Sequence, residues 1–211
     1  MNTKEMQFWK GQFGSEYTDR NNFSVAELDE MYVQEFGVTR KEMNTQFLGN
    51  ILVDRILEVG CNVANQLRCL QTMNYEHLFG IELQSYAVEK AKEVTKGINI
   101  IQGSAFDVPF KDDYFDLVFT SGVLIHLSPK DVNLAMDEIY RVSSKYIWGF
   151  EYYADTYQEI PYRDHQDKMW KTNFAQLYLD RFPTLKLVQE QKYKYIHNDN
   201  VDQMFLLEKA Q

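Results

Sequence analysis

Between Ile51 and Leu127 the chain alternates short runs of β-branched and apolar residues with longer amphipathic stretches. This alternation is typical of βαβ units, in which helices join the parallel strands of one sheet. The pattern therefore predicts a doubly wound α/β fold with a mostly parallel sheet. The strands that we predict are Arg55–Val59, Leu78–Leu83, Ile98–Gln102, Phe115–Ser121 and Tyr146–Glu151.

Helix and hairpin signals occupy the rest of the chain. Ser128 followed by Pro129 predicts a helix start, with Ser128 as the N-cap. At the C-terminal end, two strand-like runs predict an antiparallel pair that completes the sheet at its edge. Residues 1–50 are predicted to form a helical cover on the domain of residues 51–211. The predicted helices are Asn62–Met73, Ser85–Thr95, Val25–Glu35 and Thr39–Leu48, and the paired strands are Thr184–Tyr195 and Val201–Glu208.

Composition narrows the class of partner. A chain of 211 residues, with 45% hydrophobic and 25% charged residues, suits one globular domain. The net charge of −9 argues against nucleic acid and anionic membranes, so we expect a small-molecule substrate. We expect a cytoplasmic protein, because no apolar run is long enough for a bilayer and the start lacks a signal-peptide pattern. Cys61, Cys69 and four scattered histidines predict neither a disulfide nor a metal site, and the oligomeric state stays open.

A single glycine, Gly60, ends the first predicted strand. Such a turn lets the backbone approach a ligand, while the N-terminus of the next helix offers free N–H groups to an anion. The other two glycines of the dinucleotide fingerprint are absent, which argues against a pyrophosphate. An ordinary strand-to-helix turn is the alternative. The run reads Ile56-Leu57-Glu58-Val59-Gly60-Cys61-Asn62-Val63-Ala64.

Three further signals follow at the ends of later strands, where ligands bind in open α/β sheets. Glu82, before Leu83, lies 22 residues after Gly60, the spacing of an acid that accepts ribose hydroxyls. Ser104 and Ala105 could contact an adenine edge, or could form only a capped turn. The fourth strand ends in Ser121-Gly122, and His126 beyond it is either a base or a packed, hydrogen-bonded histidine.

The order and spacing of these signals resemble those of class I S-adenosylmethionine-dependent methyltransferases over roughly residues 50–150. The flanks resemble a smaller family of methylases associated with the biosynthesis of pseudaminic acid and related nonulosonate sugars. The residues that carry this second resemblance are Phe8-Trp9-Lys10-Gly11-Gln12-Phe13-Gly14-Ser15-Glu16-Tyr17-Thr18-Asp19-Arg20-Asn21, Gly122-Val123-Leu124-Ile125-His126, Glu151-Tyr152-Tyr153, Tyr162-Arg163-Asp164-His165 and Lys171-Thr172-Asn173-Phe174-Ala175. The sequence departs from that family pattern at Asp164, where a glycine is usual, and at Thr172-Asn173, which replaces a basic–acidic pair. Both departures concern the substrate more than the methyl donor.

The resemblance implies a Rossmann-like domain that binds S-adenosylmethionine and releases S-adenosylhomocysteine. Aromatic faces attract a sulfonium and an arginine can pair with the donor's carboxylate, so Trp9, Tyr17 and Arg20 are assigned to the donor. The other donor candidates are Glu58, Gly60, Cys61, Asn62, Glu82, Leu83, Ser104, Ala105, Ser121 and Gly122. Candidates for handling the acceptor's proton are Glu151, His126, Tyr152 and His165, and those for binding the acceptor are Tyr153, Tyr162, Arg163 and Lys171. Glu151 is the first choice for binding an amine or amidine or for taking its proton, and the alternative is an ordinary acid at the end of a strand.

The expected activity is methyl transfer to a small molecule, with an amino sugar or a nonulosonate-pathway sugar derivative implied by the resemblance. An unrelated hydroxyl or amine acceptor is an alternative, and the sequence does not choose nitrogen over oxygen. A nucleotide-dependent oxidoreductase on the same fold is disfavoured by the missing glycines. A binding or scaffold protein that keeps the fold without turnover is a further alternative.

Overall fold

A computed structural model describes residues 3–163 and 165–210 of the chain. Within those residues, seven strands form one sheet in the order β3-β2-β1-β4-β5-β9-β8. Strands β1 to β5 are parallel, and β9 pairs antiparallel with both β5 and β8. The strands are β1 Arg55–Val59, β2 His77–Glu82, β3 Ile98–Gln102, β4 Phe115–Ser121, β5 Ser143–Tyr152, β8 Leu185–Lys194 and β9 Val201–Lys209, while β6 Gln158–Glu159 and β7 Trp170–Lys171 form a separate antiparallel pair.

Helices cover both faces of the sheet and bury an apolar core on each side. The cover at the N-terminal end consists of α1 Lys4–Lys10, α2 Gln12–Arg20, α3 Val25–Phe36 and α4 Arg40–Leu48. The remaining helices are α5 Asn65–Thr72, α6 Ser85–Val94, α7 Val132–Val142 and α8 Phe174–Arg181. Among the described residues, no helix combines the length and the apolar character needed to cross a membrane.

The predicted strands and the C-terminal antiparallel pair are confirmed, with ends that differ by at most three residues. Thr39 and Glu42 form a capping box at the start of α4. Cys61 and Cys69 are both free and buried.

Two predicted helix starts are wrong. Helix α5 begins at Asn65 rather than Asn62, because Asn62 and Ala64 take positive φ values of 47° and 62°, which no α-helix accommodates. Helix α7 begins at Val132, three residues after the predicted start. The Ser128 carbonyl accepts the N–H groups of Asp131 and Val132, so this segment is a turn that leads into the helix.

Candidate functional site

A cavity of ≈ 630 Å³ opens at the carboxyl edge of the parallel strands, beneath the N-terminal helices. This edge is where open α/β sheets bind ligands, because several strand-to-helix turns converge there. The structure brings most of the sequence-predicted residues to its wall. Those residues are Trp9, Tyr17, Glu58, Gly60, Cys61, Asn62, Glu82, Leu83, Ser104, Ala105, Ser121, Gly122, His126, Glu151, Tyr152, Tyr162 and Arg163.

The turn after β1 requires a glycine. Gly60 has φ of 76°, and a Cβ added there would lie 2.7 Å from Cγ2 of Val123, so a larger residue would be strained and would collide. The N–H groups of Gly60 and Cys61 both donate to the Ile81 carbonyl at 2.9 and 3.0 Å. These bonds fix the turn of β1 against the end of β2, and the bare Gly60 backbone forms part of the cavity wall.

Glu82 at the end of β2 is held by two backbone donors. Its carboxylate oxygens accept the N–H of Asn62 and the N–H of Gln84, each at 2.9 Å. Burial raises the pKa of Glu82, and hydrogen bonds from these two N–H groups lower it, with a net upward shift. The acid is therefore oriented by the two loops that border it, and it faces the cavity.

Glu58 on β1 carries an unused acceptor atom. It is buried, it lines the cavity, and its Oε2 has no hydrogen-bond partner among the described residues. Burial raises the pKa of Glu58 well above its usual range, against the opposing attraction of the Arg40 guanidinium. A positively charged ligand group would satisfy this oxygen.

Arg40 is a buried cation that the sequence did not indicate. It is 0% exposed, and its Nε donates to Asn44 Oδ1 at 2.9 Å while its Nη1 donates to the Tyr32 hydroxyl at 2.7 Å. The guanidinium lies 4.7 Å from the ring centre of Phe150, within cation–π range. Nη1 also lies 3.4 Å from the hydroxyl of Ser121. Arg40 thus ties helices α3 and α4 to the carboxyl ends of β4 and β5.

The first two helices are fastened to the cavity through Gln84, which the sequence analysis also missed. Gln84 Nε2 donates to the Gly11 carbonyl and the Ser15 hydroxyl, each at 3.0 Å. At Gly14, an added Cβ would lie 1.9 Å from the Trp9 carbonyl oxygen, so α1 and α2 can approach this closely only with a glycine there. The anchor is two residues after Glu82, so the same loop contacts both the cover and the acid.

Aromatic rings roof the cavity. Trp9 contacts Tyr17 edge-on at 5.2 Å and His126 at 4.6 Å between ring centres, and His126 lies 5.0 Å from Tyr162. The Nδ1 of His126 is 2.8 Å from the Lys168 carbonyl, which can only accept, so Nδ1 carries the proton. Burial lowers the pKa of His126 to about 4, which keeps the imidazole neutral at neutral pH. Of the two interpretations of His126, the packing and the hydrogen bond match the packed residue more closely than the base. The ring nevertheless lines the cavity.

Two buried carboxyl groups, Glu151 on β5 and Asp202 on β9, line the cavity. Glu151 is 1% exposed and accepts the N–H of Val123 at 3.2 Å and that of Ile125 at 3.4 Å. Asp202, which the sequence analysis missed, is 4% exposed and accepts the Tyr195 hydroxyl at 3.1 Å. Burial raises the pKa of Glu151 to about 7 and that of Asp202 to about 8.

Four candidate residues lie away from the cavity wall. Arg20 is 3.9 Å from Glu16 and lies over the Phe13 ring, and Tyr153 lies under the Lys192 ammonium. His165 packs against the Phe8 and Phe13 rings of the cover, and the Lys171 ammonium donates to Asn200. In this structure these four residues contact protein neighbours, so their assigned roles stay predictions. The departure noted at Asp164 lies outside the described residues.

The loop after β3 has the local bonds of a capped turn. The Ser104 hydroxyl accepts the Phe106 N–H at 3.1 Å. Ser104, Ala105 and Phe106 nevertheless line the cavity, so the turn presents its outer side to any ligand there.

Comparison with solved structures identifies the fold. The 1,6-didemethyltoxoflavin-N1-methyltransferase of Burkholderia thailandensis, solved with 1,6-didemethyltoxoflavin and S-adenosylhomocysteine bound, superposes with a TM-score of 0.71. The alignment covers 100% of this chain and 92% of that chain at 12% sequence identity, which shows the fold alone. The fold is that of the class I methyltransferases.

Sequence comparison agrees over the middle of this class I methyltransferase fold. Residues 57–145 match the family model described as a methyltransferase domain. A sterol methyltransferase-like 2 protein of Botryococcus braunii is 31% identical over 94 residues, which are 42% of this chain and 24% of the relative. The O-methyltransferase rstn1 of Aspergillus nomiae is 30% identical over 101 residues, which are 45% of this chain and 44% of the relative. The chain thus spans less than half the length of these relatives. Residues 57–145 are therefore similar in sequence to methyltransferase domains, in agreement with the fold.

Proposed function

We propose that the protein transfers a methyl group from S-adenosylmethionine to a small molecule. The observation that carries this proposal is the placement of Glu82 beside the Gly60 turn, in one cavity with Glu58. The cavity suits a donor that bears a ribose, a sulfonium and an ammonium group. Among the described residues, its wall holds six acidic side chains and one basic one, Arg163, so it favours a cationic ligand.

Individual residues fit parts of the donor. Glu82 would accept hydrogen bonds from the ribose hydroxyls, and the unpartnered Oε2 of Glu58 would accept one from the ammonium group. The bare backbone of Gly60 allows close approach. Trp9 and Tyr17 would present aromatic faces toward the sulfonium. When bound, S-adenosylmethionine supplies an electrophilic methyl group, so the protein's main task is to align the acceptor with it and exclude water.

The proposed division of labour separates residues 1–50, as a cover over the donor, from residues 51–211, as the donor-binding domain. The resemblance of the flanks to nonulosonate-pathway methylases supports an amino sugar or a related sugar derivative as acceptor. Tyr152 and Tyr162 at the cavity wall offer rings for a sugar, and Arg163 offers a fork for a carboxylate or phosphate. The cytoplasmic location and the lack of nucleic-acid binding stay predictions.

A substrate panel tests this proposal. The protein is incubated with S-adenosylmethionine and nucleotide-linked amino sugars, simple amines or neutral alcohols, and S-adenosylhomocysteine and the methylated product are quantified. Formation of both with an amino sugar supports the full proposal. Turnover only with unrelated amines or alcohols corrects the acceptor class. Donor binding without turnover on any member of the panel favours the non-catalytic alternative.

A further inference from the structure

The part of the cavity wall formed by α3, β5, β9 and Tyr195 is acidic and aromatic. Strand register places Asp202 of β9 opposite Tyr152 of β5, immediately after Glu151. Glu35 of α3 lines the same cavity. Three carboxyl groups from separate elements therefore border a space that the donor assignment leaves unexplained.

Asp202 carries an acceptor atom without a partner. Its Oδ2 accepts the Tyr195 hydroxyl, but its Oδ1 has no hydrogen-bond partner among residues 3–163 and 165–210. The side chain is 4% exposed and belongs to the cavity wall. A buried, unsatisfied carboxylate oxygen destabilises the folded chain, so a ligand donor at this position would offset a cost that the ligand-free protein carries.

Aromatic rings enclose the same space. Phe36 lies 4.6 Å from Tyr195 and 5.8 Å from Phe150, and Tyr152 lies 5.9 Å from Tyr195, measured between ring centres. All four rings line the cavity. Aromatic faces combined with carboxylates form the environment that attracts an alkylammonium or similar cation, since both contribute negative potential.

Two cationic side chains, Lys171 and Arg40, lie near Asp202, but neither forms a hydrogen bond with it. The Lys171 ammonium donates to Asn200 and lies 5.0 Å from the ring centre of Tyr152. The Arg40 guanidinium is held by Asn44 and Tyr32 behind the cavity wall. Both cations lower the pKa of Asp202, but burial and the neighbouring Glu151 raise it by more, so the net shift is upward. The protein's own cations therefore do not satisfy the Oδ1 atom.

We propose that Asp202, together with Glu151, forms the acceptor subsite and binds a basic nitrogen group of the methyl acceptor. This inference rests on the proposed methyltransferase function and names the chemical class that its acceptor must carry. The aromatic rings enclose the carbon skeleton beside that nitrogen. A neutral alcohol of the same shape would leave both carboxyl groups without a charged partner and would bind more weakly.

Binding should also displace protons. Both carboxyl groups have pKa values raised into the neutral range, so each is partly protonated before a ligand binds. A cation that enters between them favours their ionised forms. The groups that interact electrostatically with Asp202 and contribute to this balance are Glu151 and Tyr152 of β5, Tyr195, Lys171 of β7, Tyr32 of α3 and Arg40 of α4.

The test uses the protein loaded with S-adenosylhomocysteine, which occupies the donor site without turnover. Benzylamine and benzyl alcohol, a pair matched in shape, are titrated calorimetrically at pH 7.5 in buffers of different ionisation enthalpy. We expect benzylamine to bind about tenfold more tightly or better, with release of protons. Asp202→Asn should remove most of this preference, and the exposed Asp199→Asn should keep it.

The outcomes separate this inference from the function on which it rests. Equal binding of the two probes, binding of neither, or an undiminished preference in Asp202→Asn would overturn the acceptor subsite, while S-adenosylhomocysteine could still bind. Retained thermal stabilisation of Asp202→Asn by S-adenosylhomocysteine shows that the variant is folded and that its donor site is intact. Failure of the wild-type protein to bind S-adenosylhomocysteine would overturn the proposed function itself.

Discussion

Glu82 Oε2 accepts the backbone N–H of Asn62 at 2.9 Å, so the acid that ends β2 is bonded to the turn that ends β1. Its other oxygen accepts the N–H of Gln84, and Gln84 in turn holds the first two helices through Gly11 and Ser15. One short loop therefore connects the expected ribose site with the N-terminal cover. We therefore expect donor binding to depend on both Glu82 and the N-terminal helices.

Replacing Glu82 tests the ribose assignment. We expect Glu82→Ala to weaken S-adenosylhomocysteine binding about 30-fold, because hydrogen bonds to a charged group contribute about 2 kcal/mol. Isothermal titration calorimetry measures the change. Glu89→Ala, on the exposed face of α6, is the matched control and should bind as the wild type does. Unchanged affinity in Glu82→Ala would remove Glu82 from the donor site.

Substituting Gly14 tests the cover. An alanine Cβ would lie 1.9 Å from the Trp9 carbonyl oxygen, a backbone atom that cannot move without shifting α1. We expect Gly14→Ala to weaken donor binding about tenfold or more, to expose the Trp9 ring, and to leave the sheet folded. Binding calorimetry, tryptophan fluorescence and far-UV circular dichroism report these three effects.

Gly11 offers a control for that experiment. A Cβ at Gly11 would lie 3.3 Å from the Gln7 carbonyl, so Gly11→Ala needs only a small adjustment. Its donor affinity should lie close to that of the wild type. If the Gly11 and Gly14 variants bound the donor equally well, the cover would not contribute to the site.

The pH dependence of stability tests the burial of Asp202. Its pKa is raised from the usual 3.8 to about 8 in the folded chain, so between about pH 4 and pH 8 the folded state binds more protons than the unfolded state. Stability from this group is present below pH 4 and is lost as the pH rises toward 8. Asp202→Asn should therefore increase the free energy of unfolding of the ligand-free protein on the order of 2 kcal/mol at pH 7.5, with a smaller gain at pH 5.

Urea denaturation at the two pH values provides the measurement. Asp199→Asn, which alters an exposed carboxyl group three residues earlier, should show no such difference. An equal change in the Asp202 variant at pH 5 and pH 7.5 would mean that Asp202 titrates normally in the folded protein.

The strands and the part of the candidate site that contains Gly60 and Glu82 were predictable from the sequence, because their signals are local. Buried parallel strands require continuous apolar runs, and the turn after β1 requires a residue that tolerates positive φ, which Gly60 provides. The 22-residue spacing to Glu82 follows from one βαβ unit. These features can be read from neighbouring residues without knowledge of long-range packing.

The residues that the sequence patterns did not indicate acquire their positions through tertiary contacts. Arg40 lies between Thr39 and Lys41 in a polar helix start, where an arginine is usually solvated, and only the packing of α4 on β4 and β5 buries it. Asp202 follows Val201 at the start of a strand, and its place beside Glu151 depends on the β5–β9 register. Helices α1 and α2 were not predicted from the sequence, because Gly11 and Gly14 have low helix propensity. In the folded chain, Gly14 allows α1 and α2 to pack closely, and Gln84 donates to the Gly11 carbonyl.

We propose that the cavity at the carboxyl edge of the sheet binds S-adenosylmethionine. The most direct test is thermal unfolding of the protein with increasing S-adenosylmethionine, S-adenosylhomocysteine or a nicotinamide dinucleotide, since a ligand that binds the native state raises its stability. We predict that both sulfur compounds raise the melting temperature in a concentration-dependent way and that the dinucleotide does not. A larger shift with the dinucleotide, or no shift with any of the three, would contradict the account.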